Sequence, residues 1–181
     1  MTRKYLIGLA LAAAFGASQA QAEELTGTLK NIKDTGAITL GYRDSSIPFS
    51  YLDDNQKPVG FAMDLCARIV DAVKGELKLP ALQTRLQPIQ LSTQIPLIEN
   101  GTIDIVCGPA TNTLERQKVV AFSDTIFVSS IRAVVRKDAP IRAFEDLGGR
   151  PVSLTSGSTS IGLLSARAQA NNFQTKNILT P

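Results

Sequence analysis

The stretch GTIDIVCGPATNTLERQKVVAFSDTIF, residues 101–127, holds a strand, a sharp stop and a helix start in succession. Ile103, Ile105, Val106 and Cys107 form a short apolar run after the Gly101 turn, as a buried strand requires. Gly108 and Pro109 end it. Asn112, with Glu115 three positions on, is a capping-box pattern and predicts a helix from near Thr113 that turns Leu114, Val119 and Val120 inward. Arg116 then falls in the first turn, where a cation faces the positive end of the helix macrodipole at a cost of a few tenths to about 1 kcal/mol. Two arrangements offset that cost. In one, a bound carboxylate is gripped by the guanidinium, free N–H groups and the Thr111 and Thr113 hydroxyls. In the other, Arg116 pairs with Glu115 or a surface acid.

Upstream, Leu29–Lys33 reads as a short helix after a flexible lead-in, and Ala37–Tyr42 (AITLGY) as a central strand ending at Arg43. Phe49–Leu52 is a second short strand, turned back by Asp53-Asp54-Asn55. Between Ala62 and Leu77, the residues Ala62, Leu65, Cys66, Ile69, Val70 and Val73 recur at three- and four-residue steps, with Asp64, Arg68, Asp71 and Lys74 opposite, so a helix packs its apolar stripe on a sheet. Leu82–Ile89 is a third strand, and Ser92–Asn100 a helix with Pro96 in its early turns. Downstream, Ile131–Val135 reads as a strand, Phe144–Leu147 as a helical turn, Pro151–Leu154 as a strand, Ile161–Ala170 as a helix and Asn177–Pro181 as the start of another strand. Strands alternating with helices predict an α/β fold with open, mostly parallel sheets. Such sheets bind ligands beyond the carboxyl ends of their strands, where Arg43, Thr111 and Arg116 fall. The hydroxyl-rich loop Thr155-Ser156-Gly157-Ser158-Thr159-Ser160, opening a helix, is either a second anion cradle or an ordinary N-cap.

Composition narrows the classes of function. The 181 residues are 44% hydrophobic and 19% charged, enough for an ordinary core. The net charge is +3, of which Arg3 and Lys4 supply two, and the absence of a basic tract argues against a nucleic-acid partner. MTRKYLIGLALAAAFGASQAQA has two cations, an apolar run too short to span a bilayer and small residues before Ala22, the pattern of a secretory signal peptide cleaved after Ala22. The mature chain is expected to be exported, not membrane-inserted, and monomeric. Two cysteines, Cys66 and Cys107, allow one internal disulfide, and two buried thiols remain the alternative. With no histidine at all, neither a metal site nor a cofactor is expected.

The order of strand, G-x-x-T-N-T-x-E-R and A-F-S-D-x-I-F resembles the periplasmic amino-acid-binding proteins of ABC importers (solute-binding proteins, family 3), in particular the glutamate/aspartate branch. The likeness runs from about Leu29 to the end of the chain. It implies a two-lobed, type II binding-protein fold, with lobe 1 at 23–137 after the signal peptide at 1–22, and the beginning of an incomplete lobe 2 at 138–181. A free amino acid is a zwitterion, and burying it demands partners for both charges. A handful of charge-assisted bonds of about 1.5 to 3 kcal/mol each can reach the roughly −8 kcal/mol of micromolar binding. The resemblance implies that Arg116 and Thr111 hold the α-carboxylate, that Thr159, beside Ser158, closes over it, and that Arg43 receives a side-chain carboxylate. It also implies hinge closure and delivery to an inner-membrane ABC permease.

Three positions depart from that branch. Gln94 stands where an arginine is expected, Leu91 where a serine is expected, and Pro109 replaces a hydroxyl donor. Losing one cation beside a side-chain carboxylate favours a less charged ligand, so glutamine or a similar polar amino acid is the alternative to glutamate or aspartate. A secreted cyclohexadienyl or arogenate-type dehydratase is the enzymatic alternative. Without histidine, its acid–base work would fall to Asp44, Asp124 or Glu115, and neither a close acid pair nor a nucleophile elbow is evident. The outer domain of a membrane receptor is a third, and it requires a membrane segment after residue 22.

Overall fold

The computed structural model describes residues 24–181, so the expected signal peptide lies outside the described residues. The first helix, α1 (Gly27–Thr35), begins inside the expected lead-in and stops at Gly36, whose φ of 65° closes it in the left-handed region. β1 (Ala37–Tyr42) follows at once, with Ile38 and Leu40 buried. A small antiparallel meander, β2 (Ser45–Ser46), β3 (Ser50–Leu52) and β4 (Pro58–Val59), then returns the chain to α2 (Phe61–Leu77). The long helix carries Ala62, Cys66, Val70 and Leu77 into the core. After it come β5 (Gln83–Pro88), α3 (Gln94–Glu99) and β6 (Ile105–Cys107).

β1 is the centre of a parallel sheet with the order β5-β1-β6. The apolar stripe of α2 meets Ile32, Ile38, Leu40 and Leu82 in one core. Cys66 of α2 and Cys107 of β6 are joined by a disulfide, with Cα atoms 6.0 Å apart, which decides between the bonded and free thiols. Farther along, β7 (Pro151–Thr155), α4 (Ser160–Ala170) and β8 (Lys176–Thr180) form a second parallel unit. Leu147 and Ala168 are buried there, the Phe144 and Phe173 ring centroids are 5.3 Å apart, and the Arg167 guanidinium lies over the Phe144 ring at 5.1 Å.

Two expected elements are absent. The helix from near Thr113 reduces to a single 3₁₀ turn, Arg116–Lys118. Its intended inward residues find nothing to pack on, with Leu114 78% and Val119 48% exposed, and so short a helix is not stable without such packing. The dipole of so short a turn is correspondingly small. Ile131–Val135 forms no strand: Val134 is 98% exposed, and no ladder runs beside these residues. Their β-prone composition expresses itself only where a neighbouring strand offers backbone partners.

Candidate functional site

Because β1, β5 and β6 run parallel, the loops leaving their carboxyl ends share one rim. Arg43 leaves β1, Gln90–Gln94 leaves β5 and Gly108–Arg116 leaves β6. The backbone N–H of Ile89 donates to Tyr42 O at 2.9 Å, so the first two loops depart side by side.

Arg43 is 8% exposed, far more buried than a strand-end arginine at the surface. Ser50 braces its backbone: the Ser50 hydroxyl accepts the Arg43 N–H at 2.8 Å and donates to Arg43 O at 3.0 Å. The Arg43 Nε donates to Ser46 Oγ at 3.3 Å. A Cβ on Gly108 would come within 3.1 Å of Arg43 Cγ, so the β6 loop lies directly against the arginine stem. No carboxylate pairs with this cation among the described residues.

Gln94, at the start of α3, is fully buried. Among the described residues, four buried side-chain polar atoms lack a hydrogen-bond partner: Arg43 Nη1, Gln94 Nε2, Gln94 Oε1 and Ser158 Oγ. All four belong to residues singled out from sequence as ligand contacts. Leaving such an atom unpaired costs about 1 to 3 kcal/mol, so Arg43, Gln94 and Ser158 each hold a buried group that the described residues leave unsatisfied.

Arg116 is half-buried and turns toward the second unit. Its Nη1 donates to Thr111 O and its Nη2 to Gly157 O, each at 3.0 Å. The ion pair with Glu115 does not form, since that carboxylate accepts Lys118 Nζ at 2.7 Å. The expected capping box is also replaced: the Thr113 hydroxyl accepts the Arg116 N–H at 3.2 Å, while Asn112 Oδ1 is taken by Gln117. Thr111 therefore meets Arg116 through its carbonyl, and its hydroxyl lies 3.5 Å from that of Thr159. Two of the five guanidinium donors are satisfied, which leaves three without a partner among the described residues.

Gly157 has a φ of 77°, and a Cβ there would lie 2.5 Å from Ser92 Cα. Only glycine permits that approach. The loop after β7 thus sits on the loop after β5, and Ser92, Thr111 and Arg116 meet Gly157 and Thr159 across the two units. Hollows of about 400 and 320 Å³ lie elsewhere, against α2 and β5 and beside α1 and α3, and neither is lined by Arg43, Gln94, Thr111, Arg116, Ser158 or Thr159. Ser45-Ser46 and the Pro48–Tyr51 run are part of the family resemblance around Arg43, but the bracing by Ser46 and Ser50 and the role of the Gly157 carbonyl were not legible in sequence. Their only local signals are a serine in Pro48–Tyr51, one in Asp44–Ser46 and a glycine among hydroxyls.

The sequence matches the family of bacterial extracellular solute-binding proteins, family 3, over residues 38–179. It is 51% identical over 162 residues to an L-glutamate/L-aspartate-binding protein of Pseudomonas aeruginosa, covering 89% of this chain and 54% of that protein. It is 46% identical over 159 residues to a glutamate/aspartate import solute-binding protein of Salmonella typhimurium, covering 88% and 53% respectively. Among solved structures, a mutant arginine-binding protein of T. maritima superimposes with a TM-score of 0.68 at 26% identity, over 85% of this chain and 63% of that one. The chain spans about half the length of the sequence relatives it matches. With its parallel α/β sheets and loops converging at their carboxyl ends, the chain belongs to the bacterial extracellular solute-binding proteins of family 3.

Proposed function

We propose that the protein carrying this chain captures a free amino acid outside the cytoplasm and hands it to an ABC-type membrane permease. The observation that carries this reading is the set of orphaned buried atoms on Arg43, Gln94 and Ser158, beside a guanidinium with donors to spare. A ligand with carboxylates would satisfy such donors, and water alone would be a poor substitute for an anion beside a buried cation. Arg116 and Thr111 hold the α-carboxylate, Ser158 and Thr159 close over it, and Arg43 receives the side chain. Gln94 stands beside that side-chain end. Residues 23–137 make the first lobe and 138–181 contribute to the second, after export by a signal peptide at 1–22 into the periplasm.

Glutamate or aspartate is the favoured ligand, since relatives carry those names and Arg43 is a buried cation with no acid partner among the described residues. Calorimetric titration with glutamate, aspartate, glutamine and basic amino acids tests the reading. Binding of an acidic amino acid that vanishes in Arg116→Ala supports it, and equal binding by wild type and Arg116→Ala removes it.

A further inference from the structure

Resting on the reading above, we propose that Gln94 makes the side-chain subsite neutral on one side, so that it accepts a terminal carboxylate and a terminal carboxamide with similar affinity. A subsite with two cations presents donors only, and a carboxamide placed there would set its own N–H₂ against donors. Gln94 changes the count. It is fully buried, and both ends of its amide, one donor and one acceptor, lack a partner. Arg43, which leaves the adjacent strand, adds one orphaned donor, Nη1, and no acceptor.

The two ligand types meet these groups differently. A carboxylate accepts from Arg43 Nη1 and Gln94 Nε2 and neutralises the buried cation, but it leaves Gln94 Oε1 without a donor. A carboxamide accepts from one of the two donors through its oxygen and donates its N–H₂ to Oε1, pairing the amide acceptor while leaving the Arg43 charge uncancelled. Each ligand satisfies a group that the other cannot. Rotating the Gln94 amide by half a turn exchanges its two ends and preserves the argument. Leu91 offers no polar atom, and of that loop only Gln94 is buried: Gln90, Ser92 and Thr93 are exposed, with the Thr93 hydroxyl engaged by Gln90.

The probes are L-glutamate and L-glutamine, titrated calorimetrically into the protein carrying this chain and into two Gln94 variants, with thermal unfolding followed alongside. Wild type is expected to bind the two within about tenfold of each other. Gln94→Arg adds a second cation and shifts the ratio toward glutamate by at least about tenfold, and Gln94→Glu places an anion beside Arg43 and shifts it at least as far toward glutamine. Opposite shifts are what a merely structural glutamine would not produce. A wild type that prefers glutamate more than a hundredfold, or a ratio unmoved by both variants, overturns the proposal while leaving amino-acid capture intact. Failure to bind either ligand overturns both.

Discussion

Arg116 Nη2 donates to the backbone carbonyl of Gly157 at 3.0 Å, joining two loops separated by 41 positions of chain. The same guanidinium holds Thr111 O, so one planar fork ties the end of the first sheet to the loop that opens α4. Arg116→Ala should lower the affinity for every amino acid at least about a hundredfold, the equivalent of two charge-assisted bonds. Arg116→Lys keeps the charge but cannot bridge two carbonyls and grip a carboxylate, and it should recover less than a tenth of the loss. Calorimetry reads both; an alanine variant that binds normally would contradict the assignment.

Gly157 should tolerate no side chain. A methyl group there meets Ser92 Cα at 2.5 Å on a backbone already in the left-handed region. Gly157→Ala is expected to lower stability by about 1 to 2 kcal/mol and to weaken binding of acidic and neutral ligands alike. Denaturant unfolding with parallel titrations measures the two effects. An unchanged midpoint would show that the loop has room.

Arg43 and Ser50 should separate charge recognition from positioning. Arg43→Ala is expected to remove binding of acidic amino acids while sparing neutral ones. Ser50→Ala leaves both backbone groups of Arg43 without partners, at about 1 to 3 kcal/mol for each buried group. Its stability should fall, with acidic-ligand affinity following. If Ser50→Ala unfolds at the same denaturant concentration as wild type, the brace has no energetic role.

The Cys66–Cys107 bond closes a loop of 41 positions between α2 and β6, immediately before Gly108. On the chain-entropy argument its loss costs about 2 to 4 kcal/mol. The Cys66→Ala, Cys107→Ala double variant should therefore unfold several degrees lower, and so should the reduced protein. Equal melting of oxidised and reduced protein would exclude a stabilising role.

Asp146 supplies a pH-dependent contact. Its carboxylate accepts N–H groups from Arg142 at 2.7 Å and Ala143 at 2.9 Å, and these bonds to the ionised form hold its pKa below the ordinary 3.8. Because the folded pKa is lowered, the contribution is present above the usual carboxylate range and disappears as pH falls through the lowered value. The amide resonances of Arg142 and Ala143 should titrate with a midpoint below 3.8, and Asp146→Asn should abolish that titration. A midpoint at or above 3.8 would count against the bond.

Elements whose signal is local could be read directly from residues. The stripe Ala62, Cys66, Val70 places α2 within a residue of its observed start, and AITLGY places β1 to the residue. The family resemblance, carried by residues 108–127, pointed to the right branch of relatives. Where packing decides, reading failed: Asn112 and Glu115 have capping-box spacing, yet Leu114 and Val119 have no core to enter and the helix stops after one 3₁₀ turn. Ile131–Val135 failed for the same reason, since β propensity is expressed against a neighbour.

By itself the sequence determined the succession β1, α2, β5, α3 and β6, the family, and which loops carry arginine, glutamine and hydroxyls, because periodicity and turn chemistry act over a few residues. Only the tertiary structure decided that Arg116 holds carbonyls instead of Glu115, that Cys66 and Cys107 are joined, and that Arg43, Gln94 and Ser158 keep unpaired atoms in a buried place. Arg116 meets Gly157, and Cys66 meets Cys107, across 41 positions of chain, and short-range patterns in the chain carry no record of such distances.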